Sequence, residues 1–299
     1  MTGIQDRLRA GECIILDGGL GQELVRHGID TSQGLWSAQA LLDRPELVSG
    51  VHQAFVDAGA DVITTNSYAT NRRRFPDADR WRAVNHTAGR LARETADSAG
   101  RSVAVAGSLP PLNGSYRPDC VGDPAELERE YREQAAILAE HADLLLCETM
   151  STAAEAAAAA RGAQAGGLPV WVSWTLADDG AGRLRSGETI TDAAAALDGL
   201  PVAALLVNCC IPESVDAAIP ELARAAGDRP FGAYANGFQP IAAGRGVADG
   251  RDLPDARDDL DPARYADTAA TWRDKGARIL GGCCELGPVH IGELSRRFG

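Results

Sequence analysis

The chain has 299 residues and is 45% hydrophobic, which is enough for one large α/β barrel or two ordinary domains. Its formal net charge of −13 excludes the basic surface that binding to a phosphate backbone needs, so we expect no nucleic-acid partner. No apolar run approaches membrane-spanning length, and the first residues lack the basic and apolar regions of a secretory signal. We therefore expect a cytoplasmic protein with no membrane partner.

Eight short apolar runs recur along the chain, and each is followed by a stretch with helical composition. We predict these runs as strands over Cys13–Asp17, Val62–Asn66, Val103–Ser108, Leu144–Glu148, Val170–Thr175, Ala204–Cys209, Phe231–Asn236 and Arg278–Cys283. Continuous rather than alternating apolarity is typical of strands that are buried on both faces. Between them, Pro45 and Asp123-Pro124 mark helix starts, and the alanine-rich segment Ala153–Ala165 predicts an outer-layer helix.

The regular alternation of strand and helix predicts an α/β fold in which residues 1–299 form a single (β/α)₈ TIM barrel domain. A doubly wound open sheet is the alternative, but the regularity over eight strands favours closure. Two loops are longer than a barrel requires, Pro110–Gly122 and the acidic Gln239–Pro262. Both follow strands, so we expect both on the face where barrel enzymes build their sites.

Polar residues and cysteines stand at the ends of most of the predicted strands. They are Asp17, Thr65, Asn66, Ser108, Glu148, Cys209, Asn236, Cys283 and Cys284. In a closed barrel these positions converge on one cavity although they are far apart in the sequence. Polar residues at that rim usually act on ligands, so this set is our candidate site.

Three of the strand-end residues, Cys209, Cys283 and Cys284, could form a catalytic zinc site. Zinc binds thiolates, and a catalytic zinc has three protein ligands with one open position. Free cysteine is also among the most buried residue types, so residue types alone support metal binding and packing equally. Cys13 and Cys147 lie within apolar runs and are interpreted as packing residues, and Cys210 should point away from its neighbour Cys209.

Other chemistries find little support in the sequence. The five histidines show no metal-ligand spacing to one another or to a carboxylate, so we assign them structural positions. A nucleophile elbow, a phosphate-binding P-loop and a dinucleotide fingerprint are all missing.

Several short motifs, in their order along the chain, resemble those of the homocysteine S-methyltransferase family. They are Leu16-Asp17-Gly18-Gly19, Leu35-Trp36-Ser37, Gly59-Ala60-Asp61, Thr65-Asn66-Ser67-Tyr68, Cys147-Glu148-Thr149, Val207-Asn208-Cys209 and Gly281-Gly282-Cys283-Cys284. The segments Gly107–Pro111 and Ser115–Asp119 look like the branch that uses S-methylmethionine or S-adenosylmethionine as methyl donor. The resemblance covers nearly the whole chain, and the combination of Asn-Cys with Gly-Gly-Cys-Cys is its specific part.

The resemblance implies a role for each matching residue. Cys209, Cys283 and Cys284 become the ligands of a catalytic Zn²⁺, and Asn236 completes the metal shell before the thiol arrives, or else is a turn residue beside Gly237. Glu148 and Asp17 match the acidic positions near the homocysteine amino group. Thr65, Asn66, Ser108 and Trp36 are further candidate substrate contacts, and Trp36 could bind a sulfonium by cation–π attraction.

One departure from the family pattern follows the last cysteine. The family commonly has a threonine before the next proline, whereas this chain has Leu286-Gly287 before Pro288. The usual hydroxyl contact to the amino-acid carboxylate is therefore missing.

The function expected from this resemblance is zinc-dependent methyl transfer from a sulfonium donor to the thiol of L-homocysteine, giving methionine. Its partners are then small molecules. Within the family, the alternatives are another small thiol or selenol as acceptor, or betaine as donor. A zinc-dependent barrel hydrolase is the rival of a different class, but it would usually need histidine or carboxylate ligands. A metal-storage or redox-sensing protein would need exposed cysteines outside a barrel cavity.

Overall fold

All eight predicted strands are present in the computed structural model, which describes residues 3–30, 34–245 and 253–299. The strands are β1 (Ile14–Ile15), β2 (Val62–Thr64), β3 (Ala104–Leu109), β4 (Leu144–Met150), β5 (Val170–Trp174), β6 (Val202–Asn208), β7 (Phe231–Tyr234) and β8 (Ile279–Leu280). They pair in parallel in the order β1-β8-β7-β6-β5-β4-β3-β2. Each strand lies beside its neighbour in the sequence, as in a barrel and not in a doubly wound sheet.

The first and second strands close the barrel through a short contact. Leu16 and Val62 form a parallel bridge just beyond β1. The backbone N–H of Asp17 donates to the carbonyl of Val62 at 3.0 Å, and that of Asp61 donates to the carbonyl of Ile15 at 2.7 Å. The predicted single (β/α)₈ TIM barrel is confirmed, and the open-sheet alternative is wrong.

Helices alternate with the strands and form the outer layer. Their bounds are α1 (Ile4–Arg9), α2 (Leu20–Arg26), α3 (Ala38–Asp43), α4 (Pro45–Asp57), α5 (Ala78–Ser98), α6 (Pro124–Leu138), α7 (Ala153–Ala163), α8 (Ile190–Ala195), α9 (Pro212–Ala226), α10 (Pro262–Asp274) and α11 (Pro288–Phe298). The predicted starts at Pro45 and Asp123 are confirmed, and the Asp123 carboxylate accepts from the backbone N–H groups of Ala125 and Glu126. No helix among the described residues is both long and apolar enough to span a bilayer.

Apolar side chains pack on both faces of the sheet, which explains the continuous apolar runs. In β4, Leu144 and Leu146 belong to the core inside the barrel, whereas Leu145 and Cys147 pack in the layer between the sheet and the helices. Trp171 is completely buried within the barrel. The interior is therefore a packed core, and any ligand must bind at its rim.

The long loops lie at the carboxyl ends of the strands, as predicted. The Pro110–Gly122 segment connects β3 to α6, and Gln239–Pro262 connects β7 to α10. Residues 246–252 of the second loop lie outside the described residues. A third extended connection, which we did not predict, follows β5 and contains an antiparallel bridge between Leu176 and Leu184. These loops surround the candidate site.

Candidate metal centre and active site

Three sulfurs meet at the carboxyl end of the barrel. Cys209 directly follows β6, and Cys283 and Cys284 follow β8. Their Sγ atoms all lie within 4.8 Å of one another, and those of Cys209 and Cys283 are 3.0 Å apart. A tetrahedral zinc with Zn–S bonds of about 2.3 Å requires sulfurs about 3.8 Å apart, so small side-chain adjustments would admit the ion.

The backbone holds these cysteines in place. Cys209 adopts a left-handed conformation with φ of 53°, and Thr175 Oγ1 donates to its carbonyl at 3.0 Å. The Cys283 N–H donates to the carbonyl of Ala235 at 2.9 Å. Gly281 is needed for close packing, because a Cβ there would lie 2.6 Å from the Cβ of Leu16. Backbone hydrogen bonds and close packing at the rim therefore fix the positions of the three cysteines.

The three thiols are electrostatically linked. Hydrogen bonding from Cys283, and then from Cys284, lowers the pKa of the Cys209 thiol well below its usual value. The contact with Cys209 in turn raises the pKa of both other thiols. The cluster therefore stabilises one negative charge, on Cys209, and a divalent cation would stabilise all three thiolates.

The remaining cysteines lie away from the cluster. Cys210 and Cys147 are fully buried between the sheet and the helices, and burial raises the pKa of both thiols. Cys13 is partly buried and packs against the same layer. The packing interpretation of Cys13 and Cys147 and the opposite orientations of Cys209 and Cys210 are confirmed.

The Gly18-Gly19 pair lets the start of the chain approach the cysteine segment. Gly19 donates its N–H to the carbonyl of Leu286 at 3.0 Å. A Cβ at Gly19 would lie 2.7 Å from the carbonyl oxygen of Cys283, and one at Gly18 would lie 2.1 Å from that of Leu286. Backbone atoms cannot move aside as a flexible side chain can. Only glycine fits at these two positions.

We expect Gly19→Ala to reduce the free energy of unfolding by about 1–3 kcal/mol, because the added methyl group displaces the Cys283 backbone. Metal retention should fall with it. Gly50→Ala is the control: Gly50 is exposed in α4, and a methyl group added there would meet nothing within 4 Å, so that change should add about 0.5–1 kcal/mol. Denaturant unfolding of both variants tests this. Equal stability of the two would contradict the proposed packing.

Two buried carboxyl groups line the cavity beside the cysteines. Glu148 accepts from Ser108 Oγ through Oε1 and from the Tyr234 hydroxyl through Oε2 at 3.3 Å. Asp17 accepts from the N–H and the hydroxyl of Thr64 at 2.7 and 2.8 Å. Burial raises the pKa of each carboxyl to about 7. Both are poised to bind a cationic group, which would favour their ionised forms.

The structure brings most of the predicted site residues to one cavity. Its wall includes Asp17, Trp36, Thr65, Asn66, Glu148, Cys209, Cys283 and Cys284. Ser108 contributes indirectly, through its hydrogen bond to Glu148. Thr65 and Asn66 also brace the rim: Thr65 Oγ1 accepts from the Ser108 N–H at 3.0 Å, and Asn66 Nδ2 donates to the Ser37 carbonyl at 3.0 Å.

Asn236 follows β7 and is completely buried. Its Oδ1 accepts from the backbone N–H of Phe238 at 3.2 Å, while Nδ2 has no hydrogen-bond partner among the described residues. The amide oxygen, which is the atom that could bind a metal, accepts one hydrogen bond within the turn and has a second lone pair. The contact fits the turn interpretation of Asn236 and does not contradict the ligand interpretation.

Sequence reasoning missed several residues of the cavity, namely Tyr68, Arg74, Ser115, Tyr116 and Tyr234. Strand alternation could have found Tyr234, because its side chain points inward between the outward-packed Ala233 and Ala235. The Tyr116 hydroxyl lies 2.8 Å from Cys209 Sγ. It belongs to a loop, where no periodicity reveals side-chain direction.

The segment that departs from the family pattern turns away from the cavity. Glu285 binds α2 instead, accepting from Gln22 Nε2 at 2.9 Å and pairing with Arg26. Leu286 is buried and contributes its backbone carbonyl to Gly19. The cavity wall therefore has no hydroxyl from this segment.

Two histidines lie together in the fold although the sequence shows no metal-ligand spacing between them. His86 Nδ1 and His141 Nε2 lie 3.2 Å apart, with Glu140 beside them, on the outer layer of the barrel. The sequence could not show this contact, because His86 lies in α5 and His141 lies in the turn after α6, not in a helix.

Comparison with known proteins gives one consistent result. The family model for homocysteine S-methyltransferase matches residues 14–298. The chain is 31% identical to homocysteine S-methyltransferase of Escherichia coli (strain K12), covering 96% of this chain and 95% of that protein. It is 30% identical to homocysteine S-methyltransferase 4 of Zea mays, covering 96% and 90%. Selenocysteine Se-methyltransferase of Brassica oleracea var. italica is 28% identical, covering 96% and 89%.

A solved structure agrees with these relatives. The metallated form of the homocysteine methyltransferase MmuM from Escherichia coli superposes with a TM-score of 0.80 at 29% identity, covering 97% of this chain and 98% of that one. Its oxidized form gives a TM-score of 0.78. The likeness of the oxidized form covers 95% of this chain and 96% of that one.

Proposed function

The chain belongs to the homocysteine S-methyltransferase family, and on that premise we propose that it is a zinc enzyme that transfers a methyl group from S-methylmethionine or S-adenosylmethionine to L-homocysteine, giving methionine. The observation that carries the zinc proposal is the meeting of the Cys209, Cys283 and Cys284 sulfurs at the cavity. We place this reaction in methionine biosynthesis in the cytoplasm.

The donor set fits zinc. Three thiolates are soft ligands with a single open position left for a substrate, and bound zinc would supply the positive charge that ionises an incoming thiol. Cys209, Cys283 and Cys284 hold the ion in this proposal. Asn236 remains a candidate fourth ligand before the thiol arrives, because its amide oxygen accepts one hydrogen bond, from Phe238, and has a second lone pair.

The two buried carboxylates suit the ammonium group of the amino acid. Glu148 and Asp17 stand in the same cavity wall as the cysteines, so an amino acid with its sulfur at the metal centre can reach them with its ammonium group. Ser108 and Tyr234 keep Glu148 oriented by hydrogen bonds to its two oxygens. These contacts would align the acceptor for attack, which is a large part of what an enzyme contributes to a two-substrate reaction.

The sulfonium methyl donor needs no catalytic group from the protein, only a surface that binds a cation. In the transfer, a C–S bond forms to the acceptor sulfur as the donor's S–CH₃ bond breaks, and the bonding pair stays on the departing thioether. Thiolate and sulfonium charges cancel, so no general acid is needed. Trp36 and Tyr68, whose ring centroids are 6.3 Å apart, offer aromatic groups that attract a sulfonium cation.

Binding of the product methionine should weaken as the pH falls. Methionine has an ammonium group but no ionisable thiol, so its affinity reports the carboxylates alone. Glu148 and Asp17, with pKa values of about 7, are ionised above that pH and lose their charge below it. We expect affinity to fall about tenfold from about pH 7.5 to about pH 6, measured by calorimetry. Tighter binding at the lower pH would contradict the assignment.

A donor panel tests the proposed function directly. Zinc-loaded protein is incubated with homocysteine and S-methylmethionine, S-adenosylmethionine or betaine, and methionine formation is measured. We expect turnover with a sulfonium donor and little with betaine, whose methyl groups leave from nitrogen. Turnover with betaine alone, or with none of the three, would contradict the proposal.

The acceptor has a second candidate. Similarity to the selenocysteine Se-methyltransferase of Brassica oleracea var. italica favours testing a selenol beside the thiol. The assay with selenocysteine in place of homocysteine, read out as Se-methylselenocysteine formed, decides between the two acceptors by their kcat/KM values.

A further inference from the structure

One hydroxyl outside the proposed ligand set touches it directly. The Tyr116 oxygen lies 2.8 Å from Cys209 Sγ, and Tyr116 is only 4% exposed. Tyr116 and Cys209 both have left-handed backbone conformations, with φ values of 63° and 53°. Such conformations are rare for residues other than glycine and cost free energy. Two costly turns, 93 residues apart, thus bring these two side chains together.

A buried ion pair packs against the ring of Tyr116. The guanidinium carbon of Arg185 lies 4.3 Å from the ring centroid of Tyr116, and Arg185 pairs with Asp178 at 2.9 Å. The side chains of Arg185 and Asp178 are 5% and 0% exposed. Arg185 Nε also donates to Thr175 Oγ1 at 3.3 Å, and that hydroxyl donates to the Cys209 carbonyl. One guanidinium therefore braces both the tyrosine and the cysteine.

Backbone groups from two neighbouring loops hydrogen-bond to the Arg185–Asp178 ion pair. Asp178 accepts from the backbone N–H of Ile211 and from that of Ile241, both at 2.9 Å. A buried ion pair adds little net stability compared with apolar packing. Its connections here run to the Cys209 loop, which points to a role at the site.

We propose that Tyr116 is a positioning residue for the metal centre: its hydroxyl donates a hydrogen bond to the Cys209 thiolate, and Arg185 over its ring fixes that donor. The inference rests on the proposed function. The bond holds Cys209 Sγ in place and draws negative charge from one of three thiolate ligands. The guanidinium strengthens the phenol as a donor, because a cation over the ring draws electron density from the oxygen.

Tyr116→Phe tests the proposal because it removes only the hydroxyl and keeps the ring under Arg185. Zinc affinity, measured by competition with a chromophoric chelator, should fall about 10- to 100-fold, as expected for loss of an outer hydrogen bond to a ligand. In the cobalt-substituted protein, the sulfur-to-cobalt charge-transfer band should move to lower energy, because the thiolate becomes more electron-rich. A purely structural role would leave that band in place.

Tyr131→Phe is the matched control. Tyr131 is equally buried, but its hydroxyl donates to the Pro110 carbonyl and touches no cysteine, so zinc affinity and the cobalt band should not change. A folded Tyr116→Phe protein with unchanged affinity and an unchanged band would overturn the role of Tyr116 and leave the proposed function intact. A wild-type chain that binds neither zinc nor cobalt would overturn the proposed function, and this inference with it.

A different observation carries a second inference, independent of the first. On the outer layer, the imidazoles of His86 and His141 are perpendicular, and Nδ1 of the first lies 3.2 Å from Nε2 of the second. Glu140 Oε2 lies 3.9 Å from His86 Nδ1. In a tetrahedral zinc site with Zn–N bonds of about 2.0–2.1 Å, neighbouring nitrogens are about 3.3 Å apart. The two imidazoles therefore already have nearly the spacing of zinc ligands.

The surroundings allow the two rings to lie close together and give an ion access to them. Gly89 in α5 allows the His141 ring to lie close, since a Cβ there would be 2.6 Å from its Cδ2. The side chains of His86 and Glu140 are 42% and 63% exposed, so an ion can reach them from solvent. We infer that His86, Glu140 and His141 form a second, surface site for a divalent transition-metal ion such as Zn²⁺. The bound ion would link α5 to the turn after α6.

The test is the zinc stoichiometry of protein whose first site is filled. We expect a second equivalent to bind, and His141→Gln to weaken its binding about 10-fold or more without affecting the first. His27→Gln, which changes an exposed histidine at the end of α2, should retain both equivalents. Absence of a second equivalent in the wild type would mean that the two imidazoles only share a hydrogen bond. Full retention of the second zinc equivalent in His141→Gln would mean that this ion binds at another place on the protein. Either result overturns the inference.

Discussion

Cys283→Ser should abolish both metal binding and turnover. Serine places a hydroxyl where zinc needs a thiolate, and a hydroxyl does not ionise readily at neutral pH. Purified wild-type protein should contain about one zinc ion per chain at the cysteine site, and the variant should contain little at that site. Turnover should fall by at least about 100-fold, since loss of a ligand costs no less than loss of an outer hydrogen bond to one. Metal analysis and methionine formation are the measurements.

Cys210→Ala provides the control for this experiment. Cys210 neighbours a proposed ligand in the sequence, but its side chain packs between the sheet and the helices. The variant should lose some stability, because it opens a small cavity, while it retains zinc and turnover. Full activity in Cys283→Ser would disprove the metal centre as we propose it.

Glu148→Gln should weaken homocysteine binding strongly while leaving zinc in place. The amide keeps nearly the shape of the acid and can still accept from Ser108, but it has no charge to offer an ammonium group. Truncating one partner of a buried charge pair costs about 2–5 kcal/mol, so we expect KM for homocysteine to rise roughly 100-fold. Steady-state kinetics and metal analysis of the same preparation test both parts.

Glu155→Gln separates this effect from a general response to losing a buried acid. Burial raises the pKa of Glu155 to about 7, as for Glu148, but Glu155 accepts from the Ser151 N–H at the start of α7 and does not line the cavity. The KM of the Glu155→Gln variant for homocysteine should match that of the wild type. Zinc loss in Glu148→Gln would instead assign Glu148 to the metal centre.

The barrel could be predicted from the sequence because its strands are buried on both faces. Runs such as Leu144–Cys147 are apolar throughout, and they are too short for a typical buried helix. The strand ends were less predictable. Ladder pairing stops at Leu280 in β8, three residues before Cys283, because the chain leaves the sheet at the rim. The predicted bounds of β8 therefore run too far, whereas β4 continues past its predicted end at Glu148 to Met150.

The site could be predicted where it depends on strand ends, and not where it depends on loops or on helix packing. Cys209, Cys283 and Glu148 were found because convergence at one rim follows from topology. The contact of Tyr116 with Cys209 depends on a left-handed turn in a loop, which no periodicity encodes. The contact of His86 with His141 depends on how α5 and α6 pack, which the sequence does not show.

The pairing of β1 with β8 has a consequence for how the protein matures. Two of the three sulfurs follow β8, the last strand to leave the ribosome, and β8 pairs with β1 from the beginning of the chain. A nascent polypeptide therefore carries only one member of the trio until all eight strands have been synthesised. The ion can meet all three proposed ligands only after β8 has been made, so metal loading is a late step.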